Sequence, residues 1–104
     1  MARKRNPHVS EKTLDDYIRE QRAKSPVFAL EFDKLQLARR VRALRRRHKL
    51  TQVQLAARAG THQEVIARLE SGRIVPKLDL LQRLAAAMGL EVDVRFTRSH
   101  HAHG

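Results

Sequence analysis

The sequence predicts an all-α chain with one C-terminal β-strand, and three observations support this prediction. Apolar residues recur at spacings of three and four, the period of one helix face, over several stretches between residues 13 and 88. Gly60, Gly72 and Gly89 directly follow such stretches, and glycine commonly ends a helix because it adopts left-handed backbone without strain. From residue 90 the pattern changes to strict alternation, which is typical of a strand.

Composition narrows the class of protein. The 104 residues have room for one domain, and an aromatic content of 4% implies an aliphatic core. The formal net charge is +11, and residues 35–104 hold 14 basic against 5 acidic side chains. This excess favours a polyanionic partner, although a basic surface that only confers solubility stays open as the alternative.

Cysteine content and hydropathy give expectations about the compartment. The chain contains no cysteine, which excludes disulfides, cysteine-based zinc sites and thiol chemistry and fits a reducing compartment. No apolar run approaches the length of a membrane span, and no apolar segment follows the basic N-terminus as in a secretory signal. We therefore expect a cytoplasmic protein of a bacterial-type cell, without a membrane partner.

The N-terminal third is expected to be an arm followed by a helical extension. Residues 1–12 are basic and lack periodicity, which predicts a flexible arm. Residues 13–34 form the extension, and a Thr-x-x-Asp capping signal begins its first helix at Thr13. Ser25-Pro26 marks a helix boundary, since the residue before a proline avoids the α region. Whether residues 26–48 form one helix or two stays open.

Residues 35–89 have the pattern of a compact helical domain. A helix with an apolar stripe is followed by a Thr-x-x-Gln capping box at Thr51, and Gly60 ends the helix that this box begins. A second short amphipathic helix follows directly. This spacing describes a helix-turn-helix, a motif that places its second helix in the DNA major groove. The expected helices are residues 35–48, 51–59, 63–71 and 78–88.

The helix after Gly60 has one apolar and one polar face. Its inner positions are Val65, Ile66 and Leu69, and its outer positions are Gln63, Glu64, Ala67 and Arg68. Gln63 can pair bidentately with adenine, and Arg68 can reach guanine or a phosphate. Glu64 can accept a hydrogen bond from cytosine or repel phosphates, and Ala67 leaves space for a thymine methyl. The alternative is an ordinary solvated helix face.

Other polar residues are candidates for phosphate contacts or for structural roles. Thr51 and Gln52 lie at a helix N-terminus, which attracts anions, and Gln52 can bond a phosphate. Arg73 and Lys77 follow the outward-facing helix and are further phosphate candidates. Glu70 follows the buried Leu69 in a basic chain, so we expect it to pair with an arginine of the residue 35–48 helix.

Residues 90–96 alternate apolar and charged side chains and are predicted to form the strand. Its apolar members are Leu90, Val92, Val94 and Phe96. A single strand cannot satisfy its own backbone hydrogen bonds, and the rest of the chain is predicted to be helical. We therefore predict that this segment pairs across a homodimer, and that residues 97–104 form a flexible tail.

A run of matching positions carries a family resemblance. The matches are Leu50-Thr51-Gln52, Leu55-Ala56, Ala59-Gly60, Gln63, Ile66, Arg68, Leu69-Glu70, Gly72, Pro76, Leu81 and Leu84-Ala85-x-x-Met88-Gly89. Over residues 37–90 the chain resembles the Cro/repressor-type (XRE) helix-turn-helix family. The resemblance implies a five-helix-type, lambda repressor-like DNA-binding domain. It also implies a phosphate role for Gln52, a base-reading role for Gln63 and an Arg45–Glu70 pair. The family usually has Ser or Thr at position 62, so either Thr61 caps that helix or His62 contacts DNA.

The N-terminal extension carries a second resemblance. The pattern Leu14-x-x-Tyr17-Ile18-x-x-Gln21, followed by Ser25-Pro26-x-Phe28, resembles antitoxins of the HigA type over residues 13–35. Such proteins are dimers that bind their own operator and neutralise a small ribonuclease toxin of the HigB/RelE type. The resemblance makes five residues candidate toxin or dimer contacts, and the alternative is that they only cover the helical core. They are Leu14, Tyr17, Ile18, Phe28 and Phe32.

We find no pattern that indicates catalysis, a metal or a cofactor. The sequence has no nucleophile with a matched base, no glycine-rich phosphate loop and no metalloprotease helix. His100, His101 and His103 lie on the expected tail, where we expect no neighbouring groups that would hydrogen-bond and orient an imidazole ligand. We therefore expect a non-enzyme without a cofactor.

The patterns together favour a sequence-specific, dimeric repressor that binds a palindromic operator on the nucleoid, with an antitoxin role preferred. One alternative is a stand-alone transcriptional regulator without a toxin. Another is a non-specific nucleic-acid-binding module driven by the arginine cluster of residues 39–47.

Overall fold

Five helices make up the regular structure of residues 12–98, the part of the chain that the computed structural model describes. They are α1 (Leu14–Lys24), α2 (Pro26–Arg47), α3 (Gln52–Ala59), α4 (Gln63–Glu70) and α5 (Leu78–Ala87). The all-α class is therefore confirmed. None of these helices is both long and apolar enough to cross a bilayer.

Side-chain caps begin the first two helices where the sequence predicts them. The Thr13 hydroxyl accepts a hydrogen bond from the Asp16 backbone N–H, and the Asp16 carboxylate accepts one from Thr13 N–H, both at 3.1 Å. The Ser25 hydroxyl likewise accepts from Phe28 N–H at 3.1 Å and starts α2 one residue before Pro26. Each cap satisfies donors that a helix N-terminus leaves unpaired.

A single helix, α2, runs without a break through residues 26–47, which settles the question of one helix or two. The boundary expected between the extension and the domain, at 34/35, falls inside this helix. Its N-terminal half packs against α1, and its C-terminal half packs against α4. One rigid element therefore joins the extension to the helix-turn-helix.

The core lies between the C-terminal half of α2 and helices α3, α4 and α5, and it is aliphatic as expected. Its most deeply buried side chains are Leu55, Ile66, Leu69 and Leu84. Val41, Leu50, Leu80 and Met88 complete it together with small alanines. Val53, two residues before Leu55, is 62% exposed because it lies on the outer side of α3.

The turn between α3 and α4 sets the angle of the two short helices. Gly60 has φ +69° and ψ +38°, the left-handed conformation that L-residues with a side chain rarely adopt. In that conformation Thr61 N–H donates to the Ala56 carbonyl at 2.9 Å, which closes the C-terminus of α3. The chain then reverses within two residues and begins α4.

The prediction of a strand over residues 90–96 is not confirmed in the single chain. Residues 91–98 have no regular secondary structure. A strand needs a neighbour for its backbone hydrogen bonds, and the helices of residues 12–98 present no sheet edge. Leu90 and Val92 rest against the helices, whereas Val94 is 61% exposed and Phe96 is fully exposed. Pairing across a homodimer stays a prediction.

Candidate nucleic-acid interface

Helix α4 presents a polar face to solvent and an apolar face to the core. Ile66 and Leu69 are buried, Val65 is half-buried, and Gln63, Glu64 and Arg68 are exposed. Ala67 is half-buried between them. The structure therefore brings together on one outer surface the side chains that the sequence nominates for base contacts.

A hydrogen bond holds the Gln63 side chain in place. The Gln63 amide Nε2 donates to Gln52 Oε1 at 2.8 Å, and Gln52 Nε2 in turn donates to Glu70 Oε1 at 3.2 Å. A glutamine amide has two N–H donors and one carbonyl, so one N–H and the carbonyl of Gln63 remain for a base. These two groups are what bidentate pairing with adenine requires.

Behind the two glutamines lies a buried ion pair between Arg45 and Glu70, the pair that the family resemblance implied. Arg45 Nε and Nη2 donate to the two Glu70 oxygens at 2.7 and 2.8 Å, a bidentate arrangement. Arg45 Nη1 also donates to the Leu50 carbonyl at 2.8 Å. The Glu70 side chain is completely buried, so its charge is compensated by these contacts and not by water.

The charge state of the pair follows from its surroundings. Burial alone would raise the pKa of Glu70. The hydrogen bonds from Arg45 and Gln52 and the charges of Arg45 and Arg42 outweigh burial and hold that pKa below its ordinary value. The hydrogen bond with Glu70 in turn raises the pKa of Arg45. Both groups are therefore ionised at neutral pH, and the anchor of Gln52 is a fixed carboxylate.

The N-terminus of α3 lies beside this network. Thr51 Oγ1 accepts from Gln54 N–H at 3.0 Å, and Gln54 Oε1 accepts from Thr51 N–H at 2.9 Å, which completes the expected capping box. The cap occupies the backbone N–H of Thr51 and an acceptor site of its hydroxyl. Its hydroxyl proton is the group left for a phosphate, so Gln52 and the first-turn N–H groups of α3 are the better candidates.

The remaining nominated DNA contacts are exposed around α4. Arg73 and Lys77 lie in the segment between α4 and α5, and Lys77 is the N-cap residue of α5. His62 is the N-cap residue of α4, and its exposed side chain makes no capping hydrogen bond. The N-cap position of α4 is thus held by His62 and not by Thr61, and contact of His62 with DNA stays a prediction.

Two arginines that sequence reasoning did not assign belong to this region. Arg42 Nε lies 3.6 Å from Glu70 Oε1 while its side chain is 48% exposed, so it bridges the buried pair and the surface. Its position three residues before Arg45, on the same face of α2, is a signal that could have indicated this. Arg83 Nη1 donates to the Gly60 carbonyl at 3.1 Å and ties α5 to the α3–α4 turn.

Of the five apolar residues nominated in the extension, two are exposed on the surface and three lie between α1 and α2. Leu14 is 72% exposed and Tyr17 is 51% exposed, whereas Ile18, Phe28 and Phe32 are half-buried between α1 and α2. The rings of Phe28 and Phe32 stack with centroids 5.9 Å apart. The structure thus leaves Leu14 and Tyr17 accessible to a partner and uses the other three mainly to join α1 to α2.

Metal-binding residues do not cluster in the part of the chain that the structure describes: residues 12–98 hold no group of three or more potential ligands. His100, His101 and His103 lie outside the described residues, as do residues 1–11 of the arm predicted over residues 1–12 and residues 99–104 of the predicted tail.

Among known proteins, the Helix-turn-helix family profile matches residues 41–94, which make up about half of the chain. An immunity repressor protein of Bacillus phage phi105 is 39% identical over 56 residues, covering 54% of this chain and 39% of the repressor. An uncharacterized HTH-type transcriptional regulator of Methanothermobacter thermautotrophicus is 44% identical over 55 residues, covering 49% of this chain and 80% of that protein. No solved structure matches the chain. Because the family profile covers α3, α4, α5 and their buried network, the chain belongs to the Cro/repressor-type Helix-turn-helix family.

Proposed function

We propose that the chain is a sequence-specific DNA-binding repressor of transcription that reads base edges with α4. The observation that supports this most directly is the hydrogen-bonded series Gln63–Gln52–Glu70–Arg45. An exposed glutamine ordinarily samples several rotamers and loses that freedom on binding. Here a buried ion pair fixes Gln52, and Gln52 holds the Gln63 amide, so part of that entropy cost falls on folding instead of on DNA binding.

Phosphate contacts supply the affinity in this proposal. Gln52 contacts Gln63 of α4, and the exposed Arg73 and Lys77 follow α4 in the chain. Together with the first-turn N–H groups of α3, these side chains can bond the two sugar–phosphate backbones beside the groove. The formal net charge of +11 adds a sequence-independent attraction that weakens with salt. Glu64, the acidic residue in the first turn of α4, counters that attraction locally and favours a register in which it faces a base edge.

A homodimer on a palindromic operator completes the proposal. Two copies related by a two-fold axis would present two α4 helices to half-sites about 34–36 Å apart, one DNA turn. The homology to a phage immunity repressor supports the role in repression, but the chain spans only 39% of that protein's length.

The test compares Gln63→Ala with Arg73→Ala on a duplex selected from random sequence by the native chain and on an unrelated duplex. Loss of Gln63 should weaken binding to the selected duplex by about 1–3 kcal/mol and leave the unrelated duplex nearly unaffected. Loss of Arg73 should weaken both alike. An equal loss on both duplexes for Gln63→Ala would contradict base reading, and it would favour the non-specific alternative.

We propose further that this repressor is an antitoxin of the HigA type, and the observation that favours this is the exposed apolar surface of the extension. Leu14, Tyr17, Val27 and Leu30 are each about half exposed or more, and none of them belongs to the helix-turn-helix core. Such a surface is typical of a protein-binding site. A small ribonuclease toxin of the HigB/RelE type is the partner that the resemblance of residues 13–35 implies.

This second proposal is tested by co-expression with the product of an adjacent reading frame. The native chain should restore growth against that product and co-purify with it, whereas Leu14→Asp with Tyr17→Ala should do neither and should still bind the selected duplex. Absence of any toxic neighbour, or undiminished protection by the double variant, would leave a stand-alone regulator as the function.

A further inference from the structure

The segment Leu90–Phe96 is unpaired in the single chain, yet its sequence is complementary to itself. Read outward from Asp93, the neighbours are valines at 92 and 94, then Glu91 and Arg95, then Leu90 and Phe96. We propose that this segment pairs with the same segment of a second copy of this chain. The two strands run antiparallel, and the two-fold axis of the pair passes through Asp93. This inference deepens the dimer of the proposed function and rests on it.

Charge and hydrophobicity select this register among the neighbouring ones. With the axis at 93, Glu91 lies opposite the partner's Arg95 at two symmetric places, and every apolar residue lies opposite an apolar residue. With the axis at 92, Glu91 would lie opposite an aspartate. With the axis at 94, Asp93 would lie opposite Arg95, but Leu90 would lie opposite the charged Arg98 and Glu91 would have no cation opposite it. If the pairing of the two strands shifted by one residue, so that the axis lay between two residues, both valines would lie opposite charged side chains. Charged side chains would then share the apolar face.

The surroundings of the segment favour the same arrangement. An apolar groove between α2 and α5, with a volume of about 140 Å³, is bordered by Leu90 and Val92 themselves. In the proposed register the partner's Phe96 lies opposite Leu90, and the partner's Val94 lies opposite Val92. The register therefore places at this groove the two apolar side chains that the single chain leaves most exposed in this segment. A cavity of similar size, about 150 Å³, accommodates a benzene ring.

Charge complementarity gives the pairing its specificity. In the single chain Arg95 Nε bonds the neighbouring Asp93 carboxylate at 2.7 Å, in an exposed local pair. In the dimer Arg95 lies between the partner's Glu91, directly opposite, and the partner's Asp93, diagonally placed. The two Asp93 side chains face each other at the axis, and the two flanking arginines compensate their repulsion.

Single cysteines test the axis, because the native chain contains none and each variant has one thiol. Residues at the axis face their own symmetry mates at about 4.5–5.5 Å between Cβ atoms, whereas residues one step away lie about 7–8 Å from theirs. Asp93→Cys in the full chain should form a disulfide-linked dimer under mild oxidation. Val94→Cys and Arg95→Cys should link at most a tenth as fast. Preferential linkage at position 94, or equal linkage at all three, would overturn the register.

Charge reversal tests the pairing through the dimer dissociation constant, measured by analytical ultracentrifugation without DNA. Glu91→Arg and Arg95→Glu each place like charges opposite each other twice, and each should weaken its own dimer about tenfold. An equimolar mixture of the two variants should restore a heterodimer within about threefold of the native value. Arg98→Glu, just beyond the pair, is the matched control and should change little. Failure of the mixture to recover would refute the proposed pairs.

Phe96→Ala tests the groove and should weaken the dimer by more than about a hundredfold, since two phenyl groups lose their burial. Thr97→Ala, the adjacent exposed residue, should not. These measurements use no operator, so their outcome is independent of whether the chain proves to be a repressor. A chain that is monomeric at the concentration that saturates its selected duplex would overturn this inference and leave base reading by α4 intact.

Discussion

The two halves of α2 lie in different environments although they belong to one helix. From Ala38 onward the helix buries Ala38, Val41 and Arg45 against the helix-turn-helix. Between residues 12 and 37 no side chain is buried, and the seam with α1 is formed by half-buried residues. An unbroken helix therefore does not distribute stability evenly along its length. We expect the core-forming half to unfold as one cooperative unit and the extension to open separately as a surface hairpin.

Polar contacts differ in the same way. The helix-turn-helix contains a buried bidentate ion pair, whereas the extension has exposed ion pairs such as Arg22–Asp33 and Lys34–Glu31. Exposed pairs contribute little because water and salt screen them, but removal of one partner from a buried pair leaves an uncompensated charge. Matched substitutions in the two regions should therefore have very different consequences.

The largest effect is expected for Glu70→Ala. Arg45 would remain buried without its carboxylate, and Gln52 would lose the group to which it donates, so the free energy of unfolding should fall by about 3–5 kcal/mol. Urea denaturation followed by circular dichroism measures this. The matched control is Glu31→Ala, which removes an exposed ion pair from the extension and should change stability by less than about 0.5 kcal/mol. If both variants lost a similar amount of unfolding free energy, the proposed difference between the two regions would be contradicted.

A pair of leucines gives the next comparison. Leu84 is 2% exposed in the core and Leu14 is 72% exposed on α1. Leu84→Ala should lower the free energy of unfolding by about 2–5 kcal/mol, because it removes buried methyl groups and leaves a cavity. Leu14→Ala should fall within about 0.5 kcal/mol of the native chain. A large loss at Leu14 would show that the exposed face of α1 is covered in solution, and the concentration dependence of that loss would identify self-association.

Acid should weaken the helix-turn-helix through Glu70. Its pKa is lowered in the folded chain, so its stabilisation is complete above the ordinary value of 4.5 and is lost as the pH falls through the lower, folded pKa. Glu70→Gln removes this titration. The difference in unfolding free energy between the native chain and Glu70→Gln should therefore be constant near neutral pH and shrink progressively below pH 4.5. A difference that stays constant to pH 2.5 would show that Glu70 does not stabilise the fold through its charge.

Local signals in the sequence predicted most of the helix boundaries. The caps at Thr13, Ser25 and Thr51 act over three residues, so a sequence pattern contains everything that determines them. The glycine turn at Gly60 is equally local. The 3.6-residue period of apolar positions likewise predicted that Ile66 and Leu69 face the core and that Gln63 faces solvent, since this period decides which face of a helix is buried.

Contacts between distant residues were beyond such signals. The bond between Gln63 and Gln52 depends on the packing angle of α3 and α4, and the contact of Arg83 with Gly60 joins residues 23 apart in sequence. The sequence predicted that Glu70 pairs with an arginine of the residue 35–48 helix, but only the family resemblance singled out Arg45. Alternation over residues 90–96 favours a strand, but a strand is a property of two segments, and residues 12–98 offer only one such segment, which has no regular structure.

Two equivalent capping boxes provide the smallest and most discriminating comparison. Thr13 caps α1 and Thr51 caps α3 with the same reciprocal hydrogen bonds, so the local chemistry lost in Thr13→Ala and Thr51→Ala is alike, about 1 kcal/mol. Thr51→Ala should lower global stability by that amount, because α3 unfolds only with the core. Thr13→Ala should instead leave global unfolding unchanged and speed amide hydrogen exchange within α1 alone. If exchange in α4 and α5 also accelerated in Thr13→Ala, α1 would belong to the cooperative unit, and the extension would contribute to the fold that positions Gln63.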